Sequence, residues 1–345
     1  MFLYKGNMKI LGIEFAPLNV PLERRLQTLA AAAWFVVLAF GSFFGIIITG
    51  YLFFTSYWWL SLLYLLWIYI DSNTCEEGGR YIPWVQNLKW WYYLKKYFPT
   101  QLHLVPDFTL DPKRNYLFCC FPHGVLPVGP FTTIQSPHSE FHKLFPNFSV
   151  KLVILSQNFL MPLLRELAYG LGCISASSKS LDYVLSSPEG GQVVILMPGG
   201  AVEAYNSRPG QYKFVVKNRK GFVKVALKNG SPIVPVISFG EPDLFDQVQG
   251  PTIRKIQEFL RGILGIAPVI FSGRGFFQYS FGVVPRRKPI KTVVGTPIEL
   301  SKVENPTREQ IEDLHGRFKQ ELVKLFEEYK YKFLENPEKT QLELE

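Results

Sequence analysis

Between residues 26 and 70 the sequence has no Lys, Arg, Asp or Glu. That gap excludes a water-facing surface helix, and the run is long enough for two bilayer spans of about 20 residues each. Cysteine is also scarce. Cys75, Cys119, Cys120 and Cys173 have neither the C-x-x-C spacing of a zinc site nor the density of a disulfide scaffold, which points to a reducing, cytosol-facing domain. The apolar run is too long for a signal peptide and has no small-residue cleavage motif. Acidic residues are outnumbered by basic ones, 28 against 37, for a net charge of +9. Such a charge suits nucleic acid, anionic lipid headgroups or the phosphates of CoA, and does not choose among them. Internal repeats and long low-complexity segments are absent.

Apolar and aromatic residues are abundant. Of 345 residues 48% are hydrophobic and 15% aromatic, with 29 Phe, 17 Tyr and 7 Trp, a composition suited to a lipid interface. The uncharged run predicts two helices, roughly 27–48 and 52–70, turning near Gly50 and Tyr51. Lys5, Lys9, Arg24 and Arg25 precede it and Arg80, Lys89, Lys95 and Lys96 follow it. Positive-inside reasoning then puts both ends in the cytosol, as a transmembrane hairpin. The chain divides into a cytosolic segment 1–25, the hairpin 26–70, a folded domain 71–336 and a charged, frayed tail 337–345.

After residue 71, short β-rich runs alternate with amphipathic stretches, the signature of an α/β domain. Strands are expected at 116–121, 150–155, 192–197, 233–238 and 290–294. Helices are expected at 158–169, 179–186, 220–229 and 253–264, with a last one opening on the capping box Thr307/Gln310. Its buried face would carry Ile311, Leu314, Phe318, Leu322 and Leu325.

Two strand ends carry chemistry. The run 115–121 feeds directly into Pro122-His123-Gly124, which sets an imidazole in a tight turn at a sheet edge, where α/β proteins keep their sites. Histidine accepts a hydroxyl proton near neutral pH. The run 193–197 feeds into Pro198-Gly199-Gly200-Ala201-Val202-Glu203, where glycines let backbone N–H groups approach a ligand and Glu203 stands within reach of orienting His123. Arg219-Lys220-Gly221 opens a helix, a setting for phosphate. The adjacent Cys119 and Cys120 read as buried hydrophobes and not as a thiol nucleophile. His103, His138, His142 and His315 read as surface residues, and Arg286-Arg287-Lys288 as a solvated basic loop.

The order of these pieces resembles the glycerolipid acyltransferase superfamily, and more closely the second diacylglycerol acyltransferase family, which includes monoacylglycerol and wax-alcohol acyltransferases. The matching pieces are Phe121-Pro-His-Gly, Met161-Pro-Leu-Leu-Arg-Glu166, Pro198-Gly-Gly-Ala-Val-Glu, Arg219-Lys-Gly-Phe-Val, Ser238-Phe-Gly-Glu241, Gly273-Arg-Gly and Val293-Val-Gly-Thr-Pro-Ile298. Many family members carry His-Pro-His-Gly where Phe121 opens the motif here, so the family's essential histidine maps on His123. The phosphate-monoester branch has Asp five residues after its histidine, and Val128 stands there in this chain.

The resemblance implies a glycerolipid-acyltransferase-like α/β domain behind an N-terminal transmembrane hairpin, in the endoplasmic reticulum membrane or on lipid droplets. It implies transfer of an acyl group from acyl-CoA to the hydroxyl of diacylglycerol, making triacylglycerol. The expected catalytic residues are His123 as general base and Glu203 holding its tautomer. Gly124, Gly199 and Gly200 would form the oxyanion turn, and Arg219 and Lys220 would bind the CoA phosphates. Acyl-CoA is a substrate, and no cofactor or metal is required. Membrane lipids are expected partners, nucleic acid is not, and a homo-oligomer is compatible. Monoacylglycerol or a fatty alcohol would be the alternative acceptor, and a non-catalytic lipid-droplet scaffold the alternative from another class.

Overall fold

Uncharged runs of Val, Ile, Phe and Cys make strands that are buried on both faces, and these form the centre of the molecule. The computed structural model describes residues 8–345 apart from 18, 248–249 and 265–268. Its main sheet has strands β1 (Thr100–Leu104), β2 (Tyr116–Phe121), β3 (Ser149–Ile154), β4 (Cys173–Ser175), β5 (Gln192–Leu196), β6 (Ile233–Phe239) and β7 (Ile290–Val294). Their spatial order is β1-β7-β6-β2-β5-β3-β4, and neighbours are parallel except β6 and β7, which are antiparallel. β2 sits at the middle, with all six residues buried. Side chains alternate across a strand, so Phe118 and Cys120 enter one core while Leu117, Cys119 and Phe121 enter the other. The two adjacent thiols therefore face opposite sides of the sheet. Burial pushes both well above the usual thiol range, which keeps them protonated and inert.

Two groups of three helices flank the sheet. One core is closed by α1 (Leu22–Leu52), α3 (Lys89–Tyr97) and α4 (Leu164–Gly170). The other is closed by α5 (Ser178–Leu185), α7 (Gly221–Asn229) and α9 (Arg308–Phe333). In α9 the expected capping box is present, with Thr307 Oγ1 accepting from Gln310 N at 3.2 Å and Gln310 Oε1 accepting from Thr307 N at 2.9 Å. Leu314, Phe318, Leu322 and Leu325 are buried as expected, and His315 joins them. The expectation that His315 is a surface residue is thus corrected: one position past Leu314, it lies on the inner side of the helix and its Nε2 bonds to the Val216 carbonyl at 2.9 Å.

The apolar run also differs from expectation in its boundaries. α1 continues through Gly50 to Leu52, and α2 spans Trp58–Ile70. The break falls where Thr55 Oγ1 takes the Leu52 carbonyl at 2.9 Å, a side-chain bond that competes with helix continuation. At 31 residues α1 is about 46 Å long, enough to cross a bilayer, whereas the 13 residues of α2 reach only about 20 Å. The first half of α1 packs on the domain through Ala31, Trp34 and Phe35. Its second half and most of α2 leave Phe43, Phe44, Ile47, Trp58, Leu63 and Tyr69 exposed. Ser61 Oγ donates to the Thr49 carbonyl at 2.8 Å and ties α2 back to α1. At the far end of α2, Asp71 bonds to Arg165, which is fully buried, at 2.5 Å and also to Arg80.

Three further segments depart from the sequence reading. The helix expected at 158–169 is a 3-10 turn, Ser156–Leu160, followed by α4, because Pro162 cannot donate and Leu163 takes φ 63°. The tail is not frayed: Leu342–Leu344 pairs in parallel with Tyr212–Phe214. Arg286 and Arg287 are not simply solvated. Arg286 pairs with Asp246, while Arg287 bonds to the Tyr97 carbonyl at 2.6 Å and to Gln27 of α1.

Candidate active site

The Pro122-His123-Gly124 turn leaves the carboxyl end of β2, beside the turn that follows β5. His123 lines a cavity of about 320 Å³ together with Trp34 and Leu38 of α1, Leu164 and Ala168 of α4, and Met197 and Gly200 after β5. Its walls are almost wholly aliphatic and aromatic. That volume lies at the lower end of the range typical for small-molecule sites. His123 Nδ1 lies 3.1 Å from the Gly124 carbonyl. A carbonyl only accepts, so Nδ1 carries the proton and Nε2 keeps its lone pair. Burial lowers the pKa of the imidazole below its usual 6.5 and so favours the neutral ring at pH 7, while the bond to Gly124 pulls the other way.

Glu203 is buried on α6 (Gly200–Asn206), with its carboxyl folded against Gly199. The expected contact with the imidazole is not what it makes. Oε2 accepts from the His123 backbone N–H at 2.7 Å, and Oε1 accepts from Val215 N–H at 2.7 Å. It therefore fixes the main chain of the His123 turn and not the ring. Burial pushes its carboxyl up to about 8, while the two N–H donors and Arg219 pull the other way. Gly199 permits this fold-back, since a Cβ there would stand 2.1 Å from the Glu203 carboxyl carbon.

A second buried carboxylate, Glu241, was legible in the sequence only as part of the Ser238-Phe-Gly-Glu piece. Oε1 accepts from Val128 N–H at 2.8 Å and Oε2 from Gly129 N–H at 2.7 Å, pinning the loop that continues from His123. Burial pushes it up to about 8 as well. Gly124 has φ 63° and passes close by, leaving 3.0 Å between a Cβ and Glu241 Cγ. Two carboxylates thus grip the backbone on either side of the His turn. Val128, where the phosphate-monoester branch has Asp, supplies one of those N–H groups.

The other expected site residues are placed as follows. Gly200 lines the cavity with φ 54°, and its N–H donates to the Met197 carbonyl at 3.2 Å. Lys220 caps α7 and is paired with Glu312 of α9. Arg219 is exposed, and its charge reaches Glu203. Cys173, which the sequence reading did not place at the site, lines the cavity, with its thiol pushed up to about 12 by burial.

A family model described as diacylglycerol acyltransferase matches residues 50–345. The 2-acylglycerol O-acyltransferase 1 of Bos taurus is 47% identical over 93% of this chain and 96% of its own length. The diacylglycerol O-acyltransferase 2 of Homo sapiens is 40% identical over 90% of this chain and 81% of its own. A solved 1-acyl-sn-glycerophosphate acyltransferase from Thermotoga maritima overlaps 87% of this chain and 97% of its own, at 14% identity and a TM-score of 0.36. With the family match running from within α1 to the last residue, this chain belongs to the diacylglycerol acyltransferase family and is an O-acyltransferase.

Proposed function

We propose that this enzyme transfers a fatty acyl group from acyl-CoA to the hydroxyl of an acylglycerol, with His123 as general base. The observation that carries the reading is a neutral imidazole, with Nε2 left to accept, on the wall of an apolar cavity. The acceptor hydroxyl attacks the thioester carbonyl carbon as Nε2 takes its proton. Backbone donors at the start of α6 stabilise the oxyanion, Gly199 foremost, because the Gly200 N–H is already bonded. Collapse breaks the C–S bond, and the imidazolium returns its proton to the CoA thiolate. Arg219 is the stronger candidate for the CoA phosphates, since Lys220 is paired. Apolar walls exclude water, which would otherwise hydrolyse the thioester.

A monoacylglycerol is the favoured acceptor, because identity to the 2-acylglycerol enzymes, 43–47%, exceeds that to the diacylglycerol enzymes, 39–40%. Diacylglycerol, which the sequence alone favoured, is the second reading. Both ends of the apolar helices attach to one domain, through Gln27 to Arg287 and Asp71 to Arg165. We accordingly read α1 and α2 as a hairpin that enters the endoplasmic reticulum membrane and leaves it on the cytosolic side.

The test is purified enzyme in lipid, given labelled oleoyl-CoA and matched monoacylglycerol, diacylglycerol and hexadecanol. Diacylglycerol is expected as the main first product. Predominant triacylglycerol from added diacylglycerol selects the second reading, and wax ester overturns both. His123→Ala is expected to lose about 10²–10⁴-fold in turnover with expression intact. Near-normal turnover removes His123 from the mechanism.

A further inference from the structure

The helix α8 (Pro251–Leu264) leaves part of an apolar stripe exposed beside charged residues. Ile253, Ile256, Phe259 and Leu260 recur at three- and four-residue spacing, the stripe that normally meets a core. Here Ile256 is 54% exposed and Phe259 68%, whereas Gln257 is buried and its main-chain carbonyl accepts from Tyr205 Oη at 3.2 Å. Ile270, just beyond, is exposed too.

The surroundings say what covers this face. Phe245 and Phe271, at the two ends of the excursion that contains α8, both pack on Phe35 of α1, with ring centroids 5.4 and 4.6 Å apart. The excursion therefore leaves and rejoins the body against the helix whose outer half exposes Phe43, Phe44 and Ile47. Val269, where it returns, lines the cavity with His123, Trp34 and Leu38. Lys255, exposed beside Ile256, offers a cation to anionic headgroups. Farther along the chain, Phe277 is 63% exposed with the Arg25 guanidinium 5.3 Å from its ring centroid, so aromatic and basic groups also meet at the start of α1.

We infer that α8 lies in the plane of the bilayer surface, with Ile256 and Phe259 among the lipids, extending the lipid-facing surface of α1 to the cavity mouth where the acylglycerol passes in. The passage of acylglycerol rests on the proposed function; the position of α8 does not. An amphipathic helix of this kind sits about 5–10 Å into the boundary between headgroups and acyl chains.

The experiment uses the full chain in phosphatidylcholine/phosphatidylserine nanodiscs. The native cysteines are buried, so Phe259→Cys or Glu258→Cys adds one labelling site for a polarity-sensitive dye. The Phe259→Cys label is expected to be blue-shifted and quenched several-fold more by a shallow nitroxide lipid than the Glu258→Cys label. Equal quenching at both sites, or water-like emission from position 259, overturns the inference. A blue-shifted but unquenched label also overturns it and identifies a protein surface, such as a second copy, as the cover. Ile256→Asn with Phe259→Asn is expected to raise the KM for bilayer-dissolved acylglycerol about tenfold with the KM for acyl-CoA unchanged. An unchanged acylglycerol KM removes the delivery role while leaving the quenching result standing. Failure of the proposed function would appear separately, as absent acylglycerol turnover in the unmodified enzyme.

Discussion

Replacing Glu203 by Gln tests whether this carboxylate acts on the backbone or on the imidazole. Both its oxygens accept from backbone N–H groups, at 2.7 Å each, and the side chain is 1% exposed. A carboxyl oxygen keeps a lone pair in either protonation state; an amide nitrogen has none to offer. Gln therefore retains one bond and sets its NH₂ against the second N–H. Losing a buried hydrogen bond of a carboxyl that burial keeps largely protonated costs about 0.5–1.5 kcal/mol, and the buried donor left facing a donor adds about 1–3. At about 1.4 kcal/mol per decade, a displaced His turn lowers kcat about 10- to 100-fold. Its acid limb should stay where it was, because the ring keeps its bond to the Gly124 carbonyl. The assay is kcat against pH for both proteins, with thermal unfolding in detergent alongside. Gly199→Ala should reproduce the effect, since its Cβ would occupy the space of the Glu203 carboxyl. A Glu203→Gln enzyme with full plateau kcat and an acid limb shifted by a pH unit would refute the reasoning and return Glu203 to the imidazole.

Two further outcomes follow from buried charge. Asp71→Ala takes from the fully buried Arg165 its one buried carboxylate and leaves it only the partly exposed Glu166, at 2.6 Å, so a clear fall in Tm is expected; an unchanged Tm would mean that Glu166 compensates the guanidinium by itself. Glu203 and Glu241 are both pushed up to about 8 from 4.5, so the folded state holds protons that the unfolded chain releases. Their stabilising contribution is full below about 4.5 and is lost as pH rises through about 8, and Tm should decline across that window. Glu241→Gln should flatten the decline; parallel curves for the two proteins would exclude Glu241 as a contributor.

Local patterns explain how much was legible in advance. An uncharged run of this length has few physical outcomes, a capping box closes within four residues, and strands such as 116–121 advertise themselves by being apolar on both faces. His123 stood out because a strand ran straight into Pro-His-Gly. β1 and β4 were missed because Thr-Gln-Leu-His-Leu and Cys-Ile-Ser are weak or short signals that only their neighbours stabilise. The parallel pairing of the tail depends on residues 130 positions away, which no local period records.

The sequence by itself determined the apolar helices, the α/β class, the His turn and the glycine turn, since each follows from short-range sterics, hydrogen bonding or hydrophobic spacing. The tertiary structure decided what the carboxylates do. Glu203 lies 80 residues from His123 and Glu241 over 110 residues from the N–H groups it holds, and partners at such distances are chosen by strand order. Strand order likewise sent Cys119 and Cys120 into different cores and brought Trp34, Leu164 and Met197 around one cavity. Spacing along a chain fixes which side of an element a residue occupies; what it meets there depends on how the elements pack.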